Sequence, residues 1–140
     1  MKYIYLVILF LTTTVVASKE LKSVAEAKNL AKEVMSYVEK GESAKGLLLF
    51  KPYLIIPEAE FDVMLNSLKM QQPIMDQRFG KTIGIEYIGE KTVGKSLMKI
   101  TYAEKFEKHM MRWVFYFYKP KDRWVMNTFT TDDNIKALFY

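Results

Sequence analysis

Glu104 is the side chain in this sequence with the greatest potential for chemistry. The strands predicted below place it on the inner face of a sheet, opposite Trp113 and near Tyr102. A carboxyl group packed against aromatic rings has a raised pKa and can act as a general acid or base. Near the end of a hairpin, however, water would reach Glu104 and leave it an ordinary carboxylate, which is the simpler interpretation. Glu104 is therefore a candidate only, and no catalytic residue is assigned.

The other reactive side chains lack the partners that catalysis or metal binding needs. Asn127 would join Glu104 and Tyr102 in a polar cluster if its strand turned it inward. His109 is the only histidine, and we expect it in the tip of a hairpin. The sequence has no cysteine, no glycine-rich phosphate loop and no Gly-x-Ser-x-Gly turn. We therefore predict no metal and no cofactor.

Strands of alternating hydrophobicity begin at Thr82 and would position these residues. A turn at residues 91–94 joins the first two strands and gives three facing pairs: Tyr87–Met98, Ile85–Ile100 and Ile83–Tyr102. A turn at Lys108 and His109 joins the next two and gives Tyr102–Phe115, Glu104–Trp113 and Phe106–Met111. A shift by one residue would invert every side chain, so the agreement of two independent turns supports both registers.

These registers give the predicted sheet an aromatic inner face and a mixed outer face. The inner face collects Ile83, Ile85, Tyr87, Met98, Ile100, Tyr102, Phe106, Met111, Trp113, Phe115 and Phe117. We expect a pocket for a small apolar ligand there, lined by Tyr87, Tyr102, Glu104, Trp113, Phe115 and Asn127.

The outer face of the predicted sheet pairs Glu86 with Lys99, which is a favourable cross-strand contact. It also carries Val114, Tyr116 and Tyr118. Side chains of this kind are enriched at interfaces and suggest a homodimer through this face. The alternative is a face covered by the aliphatic stems of lysine and arginine.

The fourth strand has two alternative registers after the turn at residues 119–123. A three-residue loop turns Val125, Asn127 and Phe129 inward, and we prefer it. A two-residue loop would instead turn Trp124, Met126 and Thr128 inward.

Three helical stretches precede the strands. The first is predicted from Ser18, which would cap it, to Lys40, and the second from Glu42 to Lys51, where Pro52 ends it. Pro57 opens the third, which runs to Phe79 with a kink or break near Gln72 because Pro73 follows. Asp132 and Asp133 would cap a short final helix through Leu138 rather than hold a metal.

The N-terminus is typical of a cleavable secretory signal. Lys2 precedes an apolar run from Tyr3 to Leu11, and small residues lead to Ala17, after which the polar mature chain begins. The run is shorter than the roughly 20 residues that a spanning helix needs, although an uncleaved anchor is the alternative. We therefore predict a signal peptide at 1–17, one domain at 18–140, and a periplasmic or secreted protein that meets the membrane only in transit.

The charge balance argues against nucleic-acid binding. The net charge is +5, and the lysines are spread evenly instead of clustering as they do in nucleic-acid binders. Half of the residues are hydrophobic, which is too many for a disordered chain.

The C-terminal motif resembles the nuclear transport factor 2-like, or cystatin-like α+β, group. The resemblance is carried by Arg112 to Pro120 (RWVFYFYKP), by Arg123-Trp124, and by Asn127 to Ile135. It extends in topology from Leu21 to Phe139 and is closest to small exported members of the group. The resemblance implies N-terminal helices on a curved four-stranded antiparallel sheet, commonly with an apolar pocket. Members include isomerases, dehydratases and cyclases as well as binding, assembly and secretion modules.

Three functions are therefore open. The first is a non-enzymatic exported module that binds a small ligand or a protein. The second is an isomerase- or dehydratase-like enzyme that uses Glu104. The third is a structural module of an envelope or secretion assembly.

Overall fold

The computed structural model describes residues 18–140 and has three helices packed on one face of a four-stranded antiparallel sheet. The helices are α1 (Val24–Glu39), α2 (Ser43–Leu48) and α3 (Glu58–Phe79), with 3-10 helices at Lys51–Tyr53 and Ile135–Leu138. The strands are β1 (Thr82–Val93), β2 (Leu97–Phe106), β3 (Met110–Tyr118) and β4 (Val125–Asp132), adjacent in chain order. The predicted α+β fold is confirmed. The predicted signal, Met1 to Ala17, lies outside the described residues.

Helix α1 begins after an N-cap at Ser23 and not at Ser18 as predicted. The Ser23 hydroxyl accepts a hydrogen bond from the Glu26 N–H at 3.2 Å, and the Glu26 carboxylate accepts one from the Lys22 N–H at 2.7 Å. Before this cap, Leu21 exchanges two backbone hydrogen bonds with Trp124, both 2.8 Å long. The prediction was wrong because this pairing holds the start of the chain extended.

Helix α2 packs on α1 through Gly46, whose backbone lies close to that of Val34. The helix ends at Leu48 instead of Lys51, because Phe50 turns into the core and the chain continues as the Lys51–Tyr53 3-10 helix. Pro52 therefore lies inside the next element, where its fixed φ is compatible with a first helical turn.

Gly46→Ala is expected to lower the free energy of unfolding by about 1–3 kcal/mol. A Cβ atom at residue 46 would lie 2.7 Å from the Val34 carbonyl oxygen and 3.0 Å from the Tyr37 Cβ, so α1 and α2 must separate. Urea unfolding followed by circular dichroism measures the change. Lys45→Ala, an exposed change in the same helix, should alter stability by no more than about 0.5 kcal/mol. A stabilised Gly46→Ala protein, as helix propensity alone would give, contradicts the close packing.

Helix α3 continues through Pro73, so of the kink or break predicted near Gln72 the break is wrong. The carbonyl that loses its partner to Pro73 belongs to Lys69, on the exposed side of the helix, where water can replace the missing N–H. The Gln72 side chain also secures this turn, because it donates to Asp76 at 2.9 Å and accepts from Ser43 at 3.0 Å. Pro57 occupies the N-cap position and not the first helical position.

The first hairpin has a different register from the predicted one. Tyr87 faces Tyr102, Ile85 faces Glu104, and Met98 faces Thr92. Two irregularities, between Thr82 and Gly84 and between Tyr87 and Gly89, extend β1 up to Val93. The turn therefore falls at residues 94–96, where Gly94 has a φ of +60°. The predicted Glu86–Lys99 pair does not form, since Glu86 faces Ala103 and Lys99 faces Lys91.

The second hairpin is offset by two residues from the prediction, with Tyr102 facing Trp113, Glu104 facing Met111 and Ile100 facing Phe115. An offset of two preserves the faces, so the aromatic side chains of β2 and β3 still share the inner side. The loop between these strands is fixed by the end of α3, because the Lys108 N–H donates to the Phe79 carbonyl at 2.9 Å.

Strand β4 contains a bulge, so neither predicted register holds along its whole length. Tyr116 faces Thr128 but Phe117 faces Met126, which leaves Asn127 as the extra residue. The three-residue loop is right for Phe129 but wrong for Val125 and Asn127. The two-residue loop correctly predicts that Trp124 and Met126 point inward, but it is wrong for Thr128. The inward residues in the structure are Trp124, Met126 and Phe129, which all belong to the core on the helix side of the sheet.

The C-terminal segment folds back over part of the outer sheet face. The Asp132 carboxylate forms two hydrogen bonds with Arg112, at 3.2 and 2.6 Å, and accepts a third from the Asn134 N–H at 3.0 Å. The expected helix after these acids is the short 3-10 helix Ile135–Leu138, which lies against β3. Asn134, and not Asp132 or Asp133, occupies its N-cap position.

Candidate functional site

Glu104 is buried on the helix side of the sheet, where its side chain is only 3% exposed. The Thr82 hydroxyl donates to Oε1 at 2.7 Å, and the Trp113 indole Nε1–H donates to Oε2 at 2.9 Å. Burial raises the pKa of the Glu104 carboxyl, while these two hydrogen bonds act in the opposite direction. Glu104 is therefore not the water-exposed carboxylate of the simpler interpretation.

The geometry around Glu104 is that of a satisfied core carboxyl. Each oxygen already accepts a hydrogen bond from a side chain, and Trp113 is itself buried. Because the residue is buried, a substrate would have to open the core to reach the carboxyl group. The hydrogen bonds thus tie β1, β2 and β3 together at one point of the core.

Three of the predicted inner-face residues, Tyr102, Trp113 and Phe115, belong to a packed aromatic cluster beneath the helices. Phe115 is at its centre, with ring-centroid distances of 5.0 Å to Phe50, 6.5 Å to Tyr102 and 6.3 Å to Trp113. Phe50, Trp113 and Phe115 are buried, and Tyr102 nearly so. The structure thus brings Tyr102, Trp113 and Phe115 together, with the space between sheet and helices occupied by side chains.

Tyr87 lies at the solvent-exposed end of this cluster and is not buried with it. Its ring stands edge-on to that of Tyr102 at 5.3 Å, and its hydroxyl donates to the Glu90 carboxylate at 3.3 Å. Lys28 on α1 forms an ion pair with the same carboxylate at 2.8 Å. The hydrogen bond between them raises the pKa of Lys28 and lowers that of Glu90. This cluster closes the junction of α1 with β1.

A groove of about 570 Å³ crosses the outer face of the sheet, on the side away from the helices. It is lined by Lys91, Val93, Leu97, Met98, Lys99, Tyr116, Phe117, Tyr118, Asn127, Thr128 and Thr130. We call it the outer groove. Its volume is within the range of roughly 300–1,000 Å³ that small-molecule sites occupy.

Asn127 lines the outer groove and does not join Glu104 and Tyr102, contrary to the inward orientation of the preferred register. The bulge that it forms displaces it from the inward series. The residues predicted for a dimer face are also divided. Tyr116 and Tyr118 line the groove, whereas Val114 is fully buried.

The exposed apolar side chains of the groove are concentrated at the β1–β2 turn. Val93 is 59% exposed and faces Leu97, which is 49% exposed. The next pair along the two strands is Lys91 facing Lys99. Like charges directly opposite one another on a sheet are unfavourable. The groove therefore combines solvated apolar surface with two closely placed cations.

Sequence reasoning missed Lys91, Val93, Leu97 and Lys99 as one group. The predicted turn at residues 91–94 placed Lys91 and Val93 in a loop instead of on a sheet face. The available signal was the glycines at positions 84 and 89, since an isolated glycine in a strand pattern often marks an irregularity. The irregularity between Tyr87 and Gly89 reverses the alternation of faces along β1, so Lys91 and Val93 lie on the outer face, opposite Lys99 and Leu97.

His109, the remaining polar candidate, packs against the protein and has no catalytic partner among the described residues. His109 packs edge-on against Phe79 at a centroid distance of 4.7 Å, in the loop between β2 and β3. Across residues 18–140, no three His, Asp or Glu side chains come together as a metal site. Within the same range, no helix is long and apolar enough to span a bilayer.

Comparisons with protein-family models, with curated proteins and with solved structures gave no match to this chain.

Proposed function

We propose that this protein is a non-enzymatic, exported binding module that holds a small apolar ligand in the outer groove. The observation that carries the proposal is the pair Val93 and Leu97, two large apolar side chains that face each other in water beside Tyr118. Exposed apolar surface that lines a concave site is typical of ligand grooves. Asn127, Thr128 and Thr130 add polar groups at the rim that can orient a ligand.

The location of the ligand is the part of the proposal that departs from the sequence-based expectation. The aromatic inner face was expected to line the pocket, but its rings are in contact with one another and with Phe50. A ligand could enter the inner face only if these rings moved apart, whereas the outer groove is already open. Export rests on the segment Met1 to Ala17, and intact-mass measurement of the protein from its own host tests cleavage after that segment.

The two alternative functions have less support. An enzyme that uses Glu104 would need a route to a carboxyl group whose oxygens are both engaged by core donors. A structural module of an envelope assembly, or a homodimer, would use the groove edge formed by the half-buried Tyr116 and the exposed Tyr118, and would compete with the ligand. Size-exclusion chromatography of the ligand-free protein separates that outcome from a monomer.

Binding of the neutral apolar dye Nile red tests the proposed site. Wild-type protein should raise the dye fluorescence in a saturable way, because the groove removes the dye from water. The double variant Val93→Asn/Leu97→Asn should weaken the dye affinity at least about fivefold, since two apolar walls are lost.

A matched control is available on α3. Val63 and Met70 are 65% and 71% exposed, so Val63→Asn/Met70→Asn removes similar apolar surface far from the groove. This control should leave the dye affinity unchanged. Equal losses in the two double variants would show that the dye reports general surface hydrophobicity, and the groove would lose its support.

A further inference from the structure

We infer that the ligand of the outer groove is a single-chain amphiphile with an anionic headgroup, which Lys91 and Lys99 bind together while the chain lies on Leu97 and the tyrosines. This inference rests on the proposed function and adds the chemical class of the ligand. It starts from the facing residues Lys91 and Lys99, the row of charged side chains on the sheet that has no ion pair among residues 18–140.

Elsewhere on the same strands, cations are paired with acids. Lys105 on β2 pairs with Glu86 at 3.8 Å, Arg112 on β3 pairs with Asp132, and Lys28 pairs with Glu90 at the edge of β1. Among residues 18–140, neither Lys91 nor Lys99 forms an ion pair with a carboxylate. The distribution of charge on this sheet therefore changes at the groove.

Within the four described strands, the register explains why neither lysine faces an acid across the sheet. Lys91 faces Lys99, Lys99 faces Tyr116, and Tyr116 faces Thr128, so the row continues across the sheet with uncharged side chains. The nearest acid along β1, Glu90, is already held by Lys28. Two lysines that face each other across neighbouring strands without an acidic partner are best stabilised by an anion that both can bind.

The apolar row next to the lysines determines the rest of the ligand. Val93, Leu97 and Tyr118 form it, since Val93 faces Leu97 and Leu97 faces Tyr118. A molecule that touches both rows needs a charged end and an apolar body, side by side. A carboxylate or phosphate on an alkyl chain has this form, whereas a sugar or a nucleotide lacks the apolar body.

Calorimetric titration with decanoate and with 1-decanol, both below the concentrations at which they aggregate, tests the inference. Decanoate should bind the wild-type protein at least about tenfold more tightly than decanol, and its affinity should fall with added salt. Lys91→Gln and Lys99→Gln should each weaken decanoate binding about two- to fivefold, and the double variant should bind decanoate and decanol alike.

The control removes two charges elsewhere. Lys32 on α1 and Lys108 in the β2–β3 loop are exposed and do not line the groove. Lys32→Gln/Lys108→Gln has the same net charge as the groove double variant and should bind decanoate like the wild type. An equal loss in this control would overturn the inference, because it would reduce the effect to general attraction by a basic protein.

The remaining outcomes separate the inference from the proposed function. If decanol binds as tightly as decanoate and the lysine variants bind normally, the anionic headgroup is refuted while the apolar groove stands. If neither compound binds, both the inference and the proposed function fail. The lysine variants should unfold at the same urea concentration as the wild type or a higher one, so a loss of binding is not a loss of fold.

Discussion

Glu104→Ala is expected to lower the free energy of unfolding by about 2–4 kcal/mol. The variant leaves the Trp113 indole N–H and the Thr82 hydroxyl without their acceptor inside the core, and it opens a cavity beside Trp113. Urea unfolding followed by circular dichroism measures this without relying on the fluorescence of Trp113 itself.

Glu104→Gln is the matched control for this first prediction. Its amide oxygen can accept from Trp113 and its amide nitrogen can donate to the Thr82 hydroxyl, so both contacts have a replacement. We expect its stability at neutral pH to stay within about 1 kcal/mol of the wild type. A glutamine variant as unstable as the alanine variant would show that the carboxylate charge itself is required, as in a functional acid.

The difference in stability between the wild type and Glu104→Gln should change with pH in a defined direction. Burial raises the pKa of Glu104 above its ordinary value of 4.5, so the folded protein holds this proton more tightly than the unfolded chain. The stabilisation that the protonated Glu104 carboxyl gives the folded protein is fully present below the pKa of Glu104 in the unfolded chain. It is lost as the pH rises through the pKa of Glu104 in the folded protein. The stability of Glu104→Gln relative to wild type should accordingly rise with pH above about 4.5.

Phe115→Ala is expected to lower the free energy of unfolding by about 3–5 kcal/mol. Phe115 is fully buried between Phe50, Tyr102 and Trp113, and its ring joins the helices to the centre of the sheet. The same urea titration measures the loss. Phe139→Ala, which removes an exposed ring of the same type, should change stability by no more than about 0.5 kcal/mol.

The outcome of Phe115→Ala also bears on where a ligand binds. A loss below about 1 kcal/mol would mean that the inner aromatic face is loosely packed. In that event a ligand could enter the inner pocket expected from the sequence, and the close packing of the inner face would no longer favour the outer groove as the binding site.

The order of helices and strands was predictable from hydrophobic periodicity, whereas the packing of the helices on the sheet was expected from the family resemblance. The three helices follow the helical recurrence of apolar residues, and the change to period two at Thr82 marks the first strand. The inner-face residues of β2 and β3 were also predicted correctly. The predicted register of the second hairpin is wrong by two residues, but an even offset leaves each side chain on the same face of the sheet.

The outer groove was not predictable, because it depends on features that break the period of two. The irregularity between Tyr87 and Gly89 turns Lys91 and Val93 to the outer face, and the bulge at Asn127 moves that side chain to the same face. The burial of Glu104 also required tertiary information. Its two donors, Thr82 and Trp113, come from different strands, and the predicted register of the first hairpin had faced Ile83 with Tyr102.

The most direct test of the account is a titration of ¹⁵N-labelled protein with decanoate, followed by amide chemical shifts. The account predicts saturable shifts grouped at residues 91–99, 116–118 and 125–130, the segments that line the outer groove. Shifts centred instead on Tyr102, Trp113 and Phe115 would place the ligand in the inner aromatic cluster and contradict the outer groove as the binding site. No saturable shift anywhere would contradict binding of this class of ligand altogether.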